Sequence, residues 1–494
     1  MMQNASIQMR LERFKTSMDE LSLPKLLILL FAGSLLFHLA IVGIFINKPI
    51  ALDDMFQYDM LARSIKEGNG FRWYSAVDVE ILRPYYSRFL DIDHLPFPEK
   101  GLETAFRGPG YPFFLALGYI FVPESLRFII ARLVQAVLAA SLAPLTMILC
   151  QQIGLSRKVS ILSAIGISIY PILLFYPIGL ASENLYIPLA FFSILLILFS
   201  TKKYTLRWVM LAGLFCGLTI LTRSIFAVFT LLSGIWLSRF SPLRKKAGLS
   251  FLLIAFGICI PWSIRNSFIM NKPAFVENSV GYNMFIGYHP LGDGGFVSNI
   301  AIAPMNILDD GEREQFCMQQ AIEFIHQDPF EAARRVFSRL LKFIGPEDRE
   351  FFYLYSNNLI GTIPQPWLVL IYALLVVPWG LTFFFGSIGL WMTRDRKAVL
   401  LILFFLLGYG LPHLFIIAEP RFHLAWVPVL IPFAALAWES RRAIHWKSFP
   451  ESKWLMITGF LILVLFIFYG FLEMDFSKLI SIMSIGGNKL RFPY

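Results

Sequence analysis

Charged residues are scarce in this sequence of 494 residues: they make up 15% of it, against 57% hydrophobic residues. The hydrophobic share lies above the range that is usual for soluble globular proteins. Apolar runs recur from residue 25 to residue 471, and no long polar block stands at either end. This pattern argues against a chain of several soluble domains. It predicts one membrane domain over residues 1–494, embedded in a lipid bilayer and carrying extramembrane insertions.

Cysteine is also rare. Cys150, Cys216 and Cys259 lie within apolar segments, and Cys317 stands alone in a polar one. Their spacing matches neither a disulfide framework nor a zinc site. A glycine-rich loop that could cradle the phosphates of a nucleotide is missing as well. We therefore expect no metal site, no cofactor and no nucleotide-sugar site.

The net charge of +10 would suit a nucleic-acid partner if the basic residues formed a continuous stripe. Instead they fall mostly in short loops between apolar runs. This placement favours membrane orientation, so we expect no nucleic-acid binding.

The apolar runs predict about eleven transmembrane helices, because a spanning helix needs about twenty mostly apolar residues. The predicted fold class is therefore an all-α polytopic membrane protein. The predicted spans are 25–47, 126–150, 159–179, 184–200, 207–222, 224–238, 247–268, 366–392, 398–417, 423–438 and 455–471.

Lysine and arginine residues concentrate in the N-terminal segment and in every second loop, whereas the alternate short loops hold only Arg223 and Arg421. The positive-inside rule then places the N-terminus in the cytoplasm and the C-terminus outside. Two long segments, residues 48–125 and 269–365, fall on the outer side. The second contains two amphipathic stretches, about 312–326 and 329–344, which predict helices.

An acidic pair follows the first span in "ALDDMFQYDMLARSIKEGNGF", at Asp53 and Asp54. The pattern predicts a short amphipathic helix on the outer surface, with Asp54 and Tyr58 on one face of it. Two interpretations stay open for the pair. The aspartates cap the helix, since Asp is a favoured N-cap residue, or a carboxylate at the membrane interface serves as a general base.

The segment "FRGPGYPFFLAL" places Arg107 directly before a Gly-Pro-Gly-Tyr-Pro element. This element is not compatible with regular helix and indicates a tight turn back into the bilayer. A guanidinium at headgroup depth suits a phosphate group. That phosphate could belong to a bound substrate or to an ordinary lipid.

Four polar clusters recur at the predicted outer ends of spans. Each could be an interface anchor, but unrelated anchors should scatter over both faces, and charges beside spans usually face a cavity or a partner. Together they predict one extracytoplasmic cavity lined by carboxylates and guanidinium groups. Their members are Ser182 and Glu183 in "ASENLYIP", Arg223 in "LTRS", Arg265 and Asn266 in "PWSIRN", and Glu419, Arg421 and His423 in "AEPRFHLAW". A further segment, "GYHPLGDGG", contains His289 and Asp293. One His and one Asp are weak evidence for a metal site, and the glycine-rich sequence is more typical of a turn.

These motifs, in this order, resemble the GT-C superfamily of polytopic glycosyltransferases. The similarity is to the bacterial glycosyltransferase family 39-like branch, with its protein mannosyltransferases and the lipid A aminoarabinose transferase. It covers the whole chain and rests on the acidic pair with "LARSIKEGNGF" and on "RGPGYP", "SENLY", "LTRS", "PWSIRN", "GYNMFIGYHPLGDGG" and "PRFHLAWVPVL". It implies a GT-C fold with two large extracytoplasmic loops in the bacterial cytoplasmic (inner) membrane.

The resemblance also implies a reaction: inverting transfer of a sugar from a polyprenyl-phosphate donor to a glycan, lipid or protein acceptor on the outer face. The family pattern is Asp-Glu, two variable residues and Tyr, from which this chain departs. Counting back from Tyr58 makes Asp54 the catalytic residue, whereas matching the acidic pair itself makes it Asp53. We prefer Asp54. The substrate-binding candidates are Tyr58, Arg107, Glu183, Arg223, Arg265, Asn266, Glu419, Arg421 and His423.

Two other classes share part of this pattern. A multi-span transporter or flippase of lipid-linked glycans would have intramembrane charges, but such proteins often show repeated halves and charges near the bilayer midplane. A ligase-like transferase with a diphosphate donor would share the arginines but should have a different outer loop.

Overall fold

The structure is a computed structural model that describes residues 21–87, 95–202, 205–347, 355, 361–441 and 480. The predicted eleventh span, 455–471, lies outside these residues. The described chain is mostly helical, and two strands of two residues each, β1 (Arg72–Trp73) and β2 (Leu102–Glu103), pair antiparallel with Arg72 opposite Glu103.

The α-helices are numbered in chain order. The first half of the chain contains α1 (Leu23–Ile44), α2 (Asp54–Lys66), α3 (Ala76–Tyr86), α4 (Gly110–Tyr119), α5 (Arg127–Gln152), α6 (Arg157–Ser168), α7 (Pro171–Phe175), α8 (Glu183–Ser200), α9 (Leu206–Thr222) and α10 (Phe226–Phe240). The second half contains α11 (Arg244–Met270), α12 (Val280–Tyr288), α13 (Ser298–Ile302), α14 (Asp310–Gln327), α15 (Pro329–Ile344), α16 (Gln365–Met392), α17 (Arg396–Phe415) and α18 (Val427–Ser440).

Seven helices in the described residues are long and apolar enough to cross a bilayer. They are Leu23–Ile44, Glu124–Gln152, Glu183–Ser200, Arg244–Met270, Gln365–Met392, Arg396–Phe415 and Pro420–Ser440. The bent pair of α6 with Pro171–Ile178 raises the number to eight, whereas α9 and α10 are apolar but shorter. The chain is thus a multi-pass α-helical membrane protein, and the count of eleven spans stays a prediction.

The span predicted over 159–179 is not one straight helix: it bends by 50° between α6 and Pro171–Ile178. Tyr170, the residue before Pro171, has extended backbone angles (φ −65°, ψ 115°). A proline disfavours the helical conformation of the residue before it, because its ring clashes with that residue's backbone. The proline therefore breaks a run whose hydropathy alone predicts a continuous helix.

Small residues let α9 pack closely against α11. A Cβ atom on Gly213 would lie 2.8 Å from the Phe251 carbonyl oxygen of α11, and one on Gly217 would lie 2.7 Å from that of Ala255. Two small residues four positions apart are a common device for close helix contact in membranes, where packing replaces the hydrophobic effect as the driving force.

Both amphipathic stretches predicted in residues 269–365 are helices. The stretch 312–326 lies within α14, and 329–344 corresponds to α15. Cys317 and Ala321 are buried on the inner face of α14, and Phe343 is buried near the end of α15.

The loop after α1 is held in place by two buried charged residues. Arg132 of α5 donates to the carbonyl oxygens of Ile46, Lys48 (2.6 Å) and Ile178 (2.7 Å), and so ties the end of the first span to α5. Asp59 of α2 accepts from Arg63 Nε (2.8 Å), the Tyr119 hydroxyl (3.0 Å) and Arg127 Nε (3.0 Å). The start of α2 is therefore fixed against the bundle.

Candidate active site

The first long segment and the second meet at a cavity of about 590 Å³. A volume of this size is typical of small-molecule sites. The polar residues of its wall come from both segments and from the ends of spans. They include Asp53, Asp54, Gln57, Tyr58, Tyr74, Arg107, Ser182, Glu183, Arg223, Ser224, Glu277, Asn278, Ser279, Tyr282, Asn283, Ser298, His413, Glu419 and Arg421.

The two aspartates after α1 play different structural parts. Asp53 is the N-cap of α2, and its carboxylate accepts from the Met55 amide (3.0 Å), which confirms the capping interpretation for this residue. Asp54 is the first residue of the helix and binds two guanidinium groups, those of Arg107 and Arg421 (Nη2 to Oδ2, 2.9 Å).

Arg107 is fixed by neutral groups as well as by Asp54. The Nε and Nη2 atoms of Arg107 donate to Gln57 Oε1 (3.1 Å and 2.6 Å). The guanidinium carbon of Arg107 lies 5.4 Å from the centre of the Tyr58 ring. Burial lowers the pKa of Arg107, but the carboxylate of Asp54, together with weaker contributions from Tyr58, Glu277 and Tyr282, more than offsets this effect, and the pKa lies above its usual range. Arg107 is therefore a permanent cation in the wall of the cavity.

Arg223 and Glu183 form a second ion pair (2.7 Å) in the cavity wall. Glu183 is the first residue of α8, and Arg223 follows the last residue of α9. Because the N-terminus of one helix and the C-terminus of the next, antiparallel helix lie at the same end of the bundle, the two charges meet there. The guanidinium carbon of Arg223 also lies 5.1 Å from the centre of the Phe422 ring, next to Arg421.

Arg421 lies in a short 3₁₀ helix, Pro420–Trp426, ahead of α18. While its Nη2 atom binds Asp54, its Nε atom is buried and has no hydrogen-bond partner within the described residues. A buried donor without a partner is costly. The neighbouring Glu419 accepts from the Phe296 amide (2.7 Å), which joins this segment to the second loop.

The glycines of "RGPG" allow the Arg107 loop to lie directly on the end of α9. A Cβ atom on Gly108 would be 2.8 Å from the Leu221 carbonyl oxygen, and one on Gly110 would collide with Thr222 Oγ1. Arg223 is the next residue after Thr222. The close approach of the two backbones therefore brings Arg107 and Arg223 into one cavity.

We expect Gly110→Ala to disturb this contact, because the new methyl group would also lie 2.9 Å from Thr222 Cα, which is backbone. Overpacking of this kind costs about 1–3 kcal/mol. Thermal unfolding in detergent should show the loss. The control is Gly118→Ala in the same helix, where the nearest atom to a Cβ is 3.9 Å away. Equal stability of the two variants would contradict the packing argument.

The structure does not bring Arg265, Asn266 and His423 to the cavity wall, although the sequence places them beside its other residues. Arg265 donates to the carbonyl oxygens of Thr104 and Phe71 (3.1 Å to the latter). Asn266 donates to those of Phe275 (2.8 Å) and Val276 (3.0 Å). These two residues fix the chain segments that carry Arg107 and Glu277.

His423 lies in a separate buried cluster. Its Nε2 atom is 2.8 Å from Glu347 Oε1, and its ring stacks on Trp379 with 3.7 Å between centres. The prediction that all four clusters line one cavity is wrong for Arg265, Asn266 and His423. A motif at the end of a span does not show which way each side chain points.

Several cavity residues are missing from the sequence predictions. Gln57 could have been found, since it lies three positions after Asp54 on the same helix face. Ser224 follows Arg223 directly, and Glu277 stands in an irregular segment that gives no periodic signal. Tyr74 has a positive φ of 51°, which is uncommon for a residue other than glycine, and strained backbone of this kind tends to cluster at functional sites.

The segment around His289 forms a turn, as its sequence indicates. His289 Nδ1 accepts from the Leu291 amide (3.2 Å), and Asp293 Oδ1 accepts from the Gly295 amide (3.0 Å). Among the described residues, no group of three or more His, Cys, Asp or Glu side chains is arranged to hold a metal ion.

Comparison with models of known protein families gives no match for this chain, and a search of curated proteins gives no significant match either.

Proposed function

We propose that this protein is a glycosyltransferase that moves a sugar from a polyprenyl-phosphate donor to an acceptor at the extracytoplasmic face of the membrane. One observation carries the proposal: Asp54 lies between the guanidinium groups of Arg107 and Arg421 in a cavity that also holds Arg223. A carboxylate and a set of cations are the two parts that transfer from a phosphate donor requires. The acceptor would be a cell-surface glycan, lipid A or a protein.

In the proposed reaction Asp54 accepts the proton of an acceptor hydroxyl group. The acceptor oxygen forms a bond with the anomeric carbon of the sugar, on the face opposite the phosphate. The bond between that carbon and the phosphate oxygen breaks, and its electron pair stays on the phosphate. Arg107, Arg223 and Arg421 stabilise the charge that develops there, and the configuration at the anomeric carbon is inverted.

The ion pairs of Asp54 suit this sequence of events. While Arg107 and Arg421 both bind Asp54, its carboxylate is stabilised as an anion and is a weak base. A donor phosphate competes for the same guanidinium groups. Its arrival would withdraw them from Asp54 and so make the carboxylate a stronger base once the donor is in place.

We further propose that the chain adopts the GT-C fold with eleven spans and lies in the bacterial cytoplasmic membrane, with its N-terminus inside and its C-terminus outside. The structure supports the outer placement of the cavity indirectly. The charged residues of the cavity lie after the C-terminal ends of α1, α9 and α11 and near the N-terminal ends of α8 and α18. In the proposed topology, all five of these helix ends lie on the outer side.

Topology reporters test this arrangement. Fusions after residue 155, 204, 243 or 396 should read as cytoplasmic, and fusions after residue 90 or 320 as extracytoplasmic, because basic residues concentrate in the first set of loops. A cytoplasmic signal from a fusion after residue 320 would contradict a cavity built from both long segments on the outer face.

The activity itself is tested with the purified protein in lipid nanodiscs. Radiolabelled polyprenyl-monophosphate sugar should lose its label to an acceptor fraction, whereas a polyprenyl-diphosphate oligosaccharide should not react. Transfer from the diphosphate alone would favour the ligase, and movement of the lipid across the bilayer without transfer would favour the flippase. Comparing surface glycans by mass spectrometry in cells with and without the gene would identify the sugar and the acceptor.

A further inference from the structure

The cavity has a second wall whose chemistry differs from that around Asp54. It is formed by the chain entering α12, with Glu277, Asn278, Ser279 and Asn283, and by Ser224 from the end of α9. Ion pairs dominate the wall around Asp54, whereas hydroxyl and amide groups surround the single carboxylate of this second wall. We name these five residues the polar wall.

Glu277 is the centre of the polar wall. Its Oε2 atom accepts from the Ser224 amide (3.4 Å) and hydroxyl (3.3 Å), and its Oε1 atom accepts from the Ser279 hydroxyl (3.3 Å). All three distances are at the long end of the range for hydrogen bonds. A carboxylate has about four acceptor sites, and no ion pair to Glu277 is found within the described chain. The group therefore retains capacity to accept from a ligand.

The polar wall is also well fixed. Glu314 of α14 accepts from the amides of Gly281 (2.6 Å) and Tyr282 (3.2 Å), at the start of α12. The Asn278 amide donates to the carbonyl oxygen of Ala105 (3.0 Å), two residues before Arg107. The position of Glu277 relative to the cations is therefore set by backbone contacts, as a binding group requires.

We propose that the polar wall is the subsite that binds the hydroxyl groups of the donor sugar, with Glu277 as its specificity-determining acceptor. This inference rests on the proposed function. Ser224 adjoins Arg223, so a sugar on this wall would be joined directly to a phosphate held by the arginines. A second phosphate would be repelled by Glu277, and a polyprenyl chain would leave the polar groups unpaired, which is costly.

The experiment separates recognition of the sugar from recognition of the phosphate. Wild-type protein in nanodiscs is titrated with polyprenyl phosphate and with its mannosyl, glucosyl and galactosyl derivatives. One derivative should bind more tightly than the bare lipid. Glu277→Gln should weaken binding of that derivative about tenfold to a hundredfold, as expected for the loss of a charged hydrogen bond. It should not weaken binding of polyprenyl phosphate, because loss of a negative charge near Arg107 does not disfavour a phosphate.

Two variants complete the design. Asn283→Ala, in the same wall, should weaken binding of the sugar-bearing lipid only. Asn283 donates to the Ser279 hydroxyl (3.2 Å) and so orients the group that donates to Glu277. Glu312→Gln, on the exposed side of α14, should change neither affinity.

The subsite would be overturned if a folded Glu277→Gln protein lost affinity equally for polyprenyl phosphate and for its sugar derivative, or lost affinity for neither. It would also be overturned by a wild-type protein that gains no affinity from any of the three sugars while it binds polyprenyl phosphate. Failure of the wild-type protein to bind even polyprenyl phosphate would instead overturn the proposed function, and the subsite with it.

Discussion

We expect Asp54→Asn to transfer sugar about a hundred to ten thousand times more slowly than the wild-type protein, because loss of a general base typically has an effect of this size. The amide keeps the size of the side chain and one oxygen that accepts from a guanidinium group. Asp53, the N-cap residue, is untouched, so folding should survive. The measurement is the initial rate of transfer in nanodiscs at equal amounts of folded protein.

Asp53→Asn is the matched control for this variant. Asparagine caps a helix about as well as aspartate, and the loss of activity should be much smaller. If Asp53→Asn abolishes transfer while Asp54→Asn does not, the family register that assigns the base to Asp54 is wrong and Asp53 is the base. Should the single variants and the double variant all remain active, the carboxylate mechanism fails.

The second large effect is expected at Arg421. Arg421→Lys should bind polyprenyl-phosphate sugar about tenfold to a hundredfold more weakly, since an ammonium group does not reproduce a guanidinium fork and one charged hydrogen bond is lost. The buried Nε atom, which lacks a partner in the described structure, is the donor that lysine does not replace. Equilibrium binding of a fluorescent donor measures the effect.

Arg265→Lys is the corresponding control, because Arg265 donates to backbone carbonyl oxygens away from the cavity. This variant should lose thermal stability and keep most of its donor affinity. Arg107→Lys and Arg223→Lys should resemble Arg421→Lys. If all three cavity arginines tolerate lysine without loss of donor binding, they would have to be reassigned as anchors for lipid headgroups.

Hydropathy is enough to predict a multi-pass helical membrane protein here, because a bilayer demands long apolar helices whatever their packing. It misplaces the boundary within 159–179, where Pro171 overrides the apolar pattern. The number of spans is also poorly determined by hydropathy, since α9 and α10 are apolar but contain only 17 and 15 residues.

Part of the site follows from chain order alone. Asp54, Glu183, Arg223 and Arg421 flank helix ends that share one side of the bundle, so their convergence could be predicted. The direction of a side chain could not. Arg265 stands in a polar motif of the same kind as Arg223, yet it points to backbone carbonyl groups. The segment that carries Glu277 is held by hydrogen bonds from Gly281 and Tyr282 to Glu314, 33 and 32 residues further along the chain, which no local pattern reveals.

The sharing of two arginines by Asp54 bears on turnover as well as on base strength. In the proposed reaction, the polyprenyl phosphate left after transfer is a monoester and carries more negative charge than the diester donor. While Asp54 is protonated, Arg107 and Arg421 would lack their anionic partner and would hold this product more tightly than the donor. By passing its newly acquired proton to the product, Asp54 would become an anion again and compete for these two arginines. Reformation of the two ion pairs would therefore clear the site for the next donor.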